Sequence, residues 1–332
     1  AGLNQENRLG DLHVSNGVLV EREVRVRIEE DPGLALRIRN QFLVPLLNAG
    51  ELDRAWAVSG VLLSVAPLSA LYWSDRVTLA LRRNDPSATL QAAKNLHELA
   101  PDDLDFQAKV IQACLQIGDL KLARYVAFKL RAHWDQNVRL AHLSILALKR
   151  SGDLSASAQA ALSAMRASPE DIKVAGSAAD ALTQSGRSSE AVRILEEAGV
   201  RESKDPRAWF EYARAQHRLG RNPSVALKSV ERARFLSERA QRAERLAARI
   251  MMDLGMLDQA ADVLAALPAE DSDNTLKMML VDLNVMRGDL EKAAQLARCL
   301  IEENPDNYSL TRQMTSVLCR AGAIQSAHVA YG

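Results

Sequence analysis

The sequence predicts an all-α chain built as a stack of two-helix repeats, and three marks with a 34-residue beat predict it. The glycines Gly118, Gly152, Gly186, Gly220, Gly255, Gly288 and Gly322 step by 34, 34, 34, 35, 33 and 34 residues. Stepping backwards reaches Asn84, within Asn84-Asp85-Pro86, and then Gly50. Pro67, Pro101, Pro169 and Pro305 each fall 17 residues after one of these turn positions. Finally, a small residue stands five places after a glycine at Ala55, Ala123, Ala191, Ala260, Ala293 and Ala327.

Each mark has a physical role. A glycine can take the left-handed conformation that ends one helix, and the Asp that often follows it can cap the next, as in Gly118-Asp119-Leu120, Gly152-Asp153-Leu154 and Gly288-Asp289-Leu290. Glu51 stands there after Gly50. Proline half a period later borders a helix start, where its missing N–H costs nothing. Two helices of about a dozen residues per unit follow, with the alanines letting paired helices approach closely.

Composition agrees. The 332 residues are 48% hydrophobic but only 4% aromatic, and the helix formers Ala, Leu, Arg, Glu and Gln dominate. A chain this long exceeds the roughly 250–300 residues at which one core stops growing, but stacked repeats escape that limit because each buries its surface against its neighbours. The 42 basic and 42 acidic side chains cancel, so net charge advertises neither nucleic acid nor membrane as partner. No apolar run is long enough to span a bilayer.

With turn, alanine and proline marks in place, the chain resembles the tetratricopeptide-repeat (TPR) family over nearly all of residues 36–332. The match weakens at the large aromatics: only Trp73 and Trp209 stand at the first-helix Trp position, and Leu usually replaces the turn Tyr. The resemblance implies a right-handed superhelical solenoid of about nine units, near 36–69, 70–103, 104–137, 138–171, 172–205, 206–239, 240–273, 274–307 and 308–332. The last unit stops inside its second helix without a polar cap, so the full-length protein is expected to continue. Residues 1–33 fall outside the repeat. Asn16-Gly17 and the alternation Val24-Arg25-Val26-Arg27-Ile28 suggest a β-hairpin, while one amphipathic helix from Val18 to Glu30 reads equally well.

No catalytic constellation is visible. Gly-rich phosphate loops, GxSxG and metal-spaced His or Cys are absent, so no cofactor or metal is expected. The acidic pairs Glu29-Glu30, Asp102-Asp103, Glu196-Glu197 and Glu302-Glu303 read as capping and solvated faces. Three distant cysteines, Cys114, Cys299 and Cys319, fit a reducing compartment such as the cytoplasm, with a periplasmic one left open.

What remains is a surface. In the TPR family the first helix of each unit lines a concave groove, mainly through its positions 2, 5, 9 and 12. The resemblance therefore places Arg139 and His142, Lys173, then Arg207, Phe210, Arg214 and His217, and finally Arg242, Arg245 and Arg249 in that groove. Residues 201–250 hold 13 basic against 6 acidic side chains, and residues 251–332 hold 6 against 12. These features predict a non-catalytic scaffold that grips an acidic segment of a protein or peptide partner. The chaperone-binding pattern of Lys and Asn at fixed groove positions is missing, which argues against a chaperone tail. The alternatives are the docking arm of a glycosyltransferase-like or sulfotransferase-like enzyme, or the arm of an exopolysaccharide secretion apparatus. Nucleic acid is the weakest, since few aromatics interleave the basic patch.

Overall fold

The computed structural model describes residues 31, 33–220, 222–237, 241–267 and 274–323. Every regular element among them is helical. The predicted hairpin or helix of residues 11–30, and Ala327 in the last unit, lie outside the described residues. The chain divides into two compact units between Ser168 and Pro169.

The first unit opens with α1 (Leu34–Ile38), which runs through a π turn (Arg39–Leu43) into α2 (Val44–Ala49). Pro45 explains the π turn: it has no N–H for the carbonyl of Gln41, and the ladder slips by one so that Val44 N–H bonds to Arg39 O. Helices then alternate as α3 (Leu52–Val65), α4 (Ala70–Arg82), α5 (Pro86–Leu99), α6 (Leu104–Ile117), α7 (Leu120–Lys129), α8 (Val138–Arg150) and α9 (Leu154–Ala167). The second unit continues the pattern: α10 (Ile172–Gln184), α11 (Ser188–Glu197), α12 (Pro206–Leu219), α13 (Pro223–Leu236), α14 (Gln241–Asp253), α15 (Leu257–Ala265), α16 (Asn274–Arg287), α17 (Leu290–Glu303) and α18 (Tyr308–Arg320). Within each unit helices pack chiefly on their sequence neighbours and on the next helix of the same kind, such as α10 on α12.

Three repeating devices hold this pattern. The predicted turn glycines all adopt positive φ, from 65° at Gly220 to 83° at Gly118, and Asn84 does the same job at φ 53°. A polar ladder in 34-residue register, Asp103, Asn137, Asp171, Asp205 and Asn307, accepts hydrogen bonds from the first N–H groups of α6, α8, α10, α12 and α18. An arginine in the last turn of a first helix also reaches back one repeat. Arg82 donates to Leu47 O, Arg150 to Leu115 O at 3.2 Å and Arg218 to Thr183 O at 2.8 Å. These bonds satisfy carbonyls that a helix end leaves without an intrahelical partner.

The core follows from the third mark of the sequence. Ala55, Ala123, Ala191, Ala260 and Ala293 have no exposed surface, and Leu62, Leu79, Ile111, Leu140, Leu182 and Ile250 fill the layers between helices. Trp73 and Trp209 occupy equivalent places and tie back identically: each indole N–H donates to a carbonyl six residues earlier, Pro67 O at 2.7 Å and Ser203 O at 2.9 Å.

Candidate partner-binding face

In the second unit, α12 starts behind the Asp205 cap with Pro206 in its first turn. Helical phase then puts Arg207, Phe210, Arg214 and His217 on one side of it. On α14, Arg242, Arg245 and Arg249 recur at spacings of three and four. The two stretches meet at Phe210, whose ring has the Arg242 guanidinium 5.3 Å and the Arg214 guanidinium 5.9 Å from its centroid.

The structure divides the predicted residues by how far their charge is already matched. Arg214 is largely buried between two carboxylates, pairing with Asp180 of α10 and, at 2.6 Å, with Glu211. His217 Nε2 lies 2.6 Å from Asp253 Oδ2, and Arg249 pairs with Asp282 at 3.1 Å. Arg207 and Arg242 are exposed and make no ion pair with any described residue. Arg245 is half-buried beside them on α14. Lys173 is exposed in the first turn of α10, where the Asp171 cap accepts its backbone N–H. Arg139 and His142 belong to the first unit, on α8; Arg139 is exposed and donates to Gln112 at 2.7 Å.

Apart from Arg214 with Glu211 three residues before it, the matched pairs run one repeat apart: Arg214 with Asp180, His217 with Asp253, Arg249 with Asp282. A search for opposite charges at a separation near 34 would have found them. Sequence reasoning also missed Glu211, which is 3% exposed. Burial pushes its carboxyl up to about 7; the Arg214 charge opposes that shift, and Asp180 reinforces it. Gln184 supports the same cluster by donating to Asp180 at 2.6 Å. The face thus combines a matched inner layer with two exposed cations, Arg242 against the Phe210 ring and Arg207 on the same helix as that ring.

Other chemistry is sparse among the described residues. No His, Cys, Asp and Glu cluster is arranged to hold a metal, and no helix is long and apolar enough to cross a membrane. Cys114 is buried, which pushes its thiol up to about 12, while Cys299 and Cys319 are exposed.

No protein-family profile matches the chain, and no curated protein matches it in sequence. Solved structures do match in shape. A tetratricopeptide repeat protein from Parabacteroides merdae superposes with a TM-score of 0.60 at 12% identity, over 75% of this chain and 98% of that one. The APC/C hetero-tetramer Cut9–Hcn1 gives 0.58 at 13% identity, over 81% of this chain and 52% of that one. With paired helices, left-handed turn residues and a 34-residue beat already established from the residues, the fold of this chain is that of the tetratricopeptide-repeat proteins.

Proposed function

We propose that the chain is a non-catalytic scaffold that binds a partner protein, and that the face around Phe210 grips an acidic segment of it. The observation that carries this reading is the exposed Arg242 guanidinium, 5.3 Å from the centre of the Phe210 ring, with the exposed Arg207 three residues before Phe210 on α12, neither making an ion pair with any described residue. A partner carboxylate would gain a bidentate, charge-assisted hydrogen bond there without first displacing an internal partner. Arg214, His217 and Arg249 act differently under this reading, holding the face in shape through Asp180, Asp253 and Asp282. Arg245 continues the row of arginines along α14, and Lys173 adds an exposed cation in the first turn of α10.

The test is the double variant Arg207→Glu with Arg242→Glu. A partner isolated with the unaltered protein should bind the variant at least about tenfold more weakly, because reversed charges at a partner's carboxylates repel. Its affinity for the unaltered protein should fall between about 0.05 and 0.3 M salt, as screening shortens the reach of exposed charges. A partner that binds the double variant equally well, with no salt dependence, would sink the assignment of this face.

A further inference from the structure

The repeats serve as each other's controls. In the second helix of a unit, the positions two and five residues after the buried small residue point outward. In α5, α11 and α17 these positions are exposed and polar: Gln91 and Lys94, Arg193 and Glu196, Gln295 and Arg298. α7 breaks the rule. It places Tyr125 and Phe128 there, 56% and 46% exposed. Large apolar rings kept in water at positions where the other described second helices carry polar or small residues, or a half-buried Leu, need a reason beyond folding.

Their surroundings supply one. The two rings line an open recess of about 810 Å³ together with Lys121, Arg124, Lys129 and Arg150. Residues 120–134 contain four cations and no carboxylate. Asp153 neutralises Arg124 at 3.1 Å, and Arg150 is committed to Leu115 O. Lys121 and Lys129, both exposed, make no ion pair with any described residue. The rings are held in place from both sides: the His97 ring meets Tyr125 edge-on at 5.9 Å, and the Arg131 guanidinium lies 4.8 Å from the centre of Phe128. The recess is therefore a pre-set apolar floor with a cationic rim.

We propose that this recess in the first unit is a second docking site, for an acidic peptide segment carrying one bulky apolar side chain. The apolar side chain sits on Tyr125 and Phe128, and flanking carboxylates meet Lys121 and Lys129. The site is built from a second helix and the end of α8, not from the α12 and α14 residues of the proposed partner face, so each can fail alone. A nucleic acid is disfavoured because the two rings form one local floor beside a single recess, whereas single strands use successive stacking platforms along a charged track. The chain's zero net charge points the same way.

The experiment uses the whole chain and a synthetic peptide array in which Trp, Phe, Tyr or Leu is flanked by Asp and Glu at all close spacings. Matched controls replace the apolar residue by Ala or the acids by Asn and Gln, and an oligo(dT) strand is included. Acidic–apolar peptides should bind and both control sets should lose about tenfold or more. In the Arg207→Glu, Arg242→Glu background, where the Phe210 face no longer competes for acidic peptides, Phe128→Ser and the pair Lys121→Glu with Lys129→Glu should each abolish the preference, and Phe128→Leu should retain most of it. All the altered side chains in the recess are exposed, so circular dichroism and the thermal midpoint should stay at the unaltered values. The proposal is overturned if no acidic–apolar peptide exceeds its controls or if Phe128→Ser binds normally. It is equally overturned if oligo(dT) outcompetes every peptide, or if the lysine variants change only self-association in sedimentation.

Discussion

Asp75 and Glu211 occupy the same place in the repeat, 136 residues apart, and their surroundings could hardly differ more. In the first unit Asp75 faces Arg39, which reaches it with two donors, Nε at 2.5 Å and Nη2 at 3.0 Å. One carboxylate meets one guanidinium there, with Lys109 close enough to feel both charges. In the second unit Glu211 must share Arg214 with Asp180, so two carboxylates meet one guanidinium in a buried layer. Burial then dominates and lifts the Glu211 carboxyl to about 7. The comparison teaches that a repeat conserves a position's geometry while leaving its charge stoichiometry free. An excess carboxyl at such a position becomes a group that titrates near neutrality.

The largest effect should come from removing the shared cation. Arg214→Met strands Asp180 and Glu211 without their partner, and should lower stability by about 3–5 kcal/mol in urea unfolding, the range typical of a broken buried pair. Arg39→Met, which leaves one carboxylate rather than two without its guanidinium, should cost less, and equal costs at the two sites would undo the comparison.

Next in size is the pH response. The folded-state value of Glu211 lies above the unfolded 4.5, so the native state holds the extra proton between about 4.5 and 7. Its stabilising contribution is complete below about pH 4.5 and is lost as pH rises through about 7. Glu211→Gln should remove that decline and raise stability at pH 8 by about 1–3 kcal/mol, whereas Asp75→Asn should lower it there by breaking a matched pair. The check is the difference between each variant and the unaltered chain in urea midpoints from pH 4.5 to 8. A flat difference for Glu211→Gln would show that the carboxyl does not titrate in that window.

A comparable loss is expected at the alanine contact common to both units. Ala123→Leu and Ala191→Leu should each cost about 1–3 kcal/mol by overpacking, since neither alanine has any exposed surface to yield. The smallest effect belongs to the turns. Asn84 holds a left-handed conformation that glycine holds elsewhere, so Asn84→Gly should change stability by under about 0.5 kcal/mol, while Asn84→Ala should cost about 1.

Much of the architecture was legible from the chain alone because its marks are local. The turn glycines, and Asn84 in the same role, act through their own φ, and Asp119 and Asp153 cap helices three residues away. The ladder from Asp103 to Asn307 was equally open to view, since capping residues recur at one period. The candidate face was legible only as a list of cations. Arg207 and Arg214 look alike in sequence, yet one is exposed and the other is enclosed by Asp180 and Glu211. Tyr125 and Phe128 were also visible as letters, but their oddity emerges only when the same outward positions are compared across repeats.

The sequence by itself determined where helices start and stop, the period that stacks them and the small residues that let them touch. Those features depend on backbone conformation and on neighbours within a turn or two. Only the tertiary structure decided which charges are spent internally and which still face solvent. That outcome depends on side chains about one repeat apart being brought within hydrogen-bond reach by packing, and on the burial that decides whether a charge survives there.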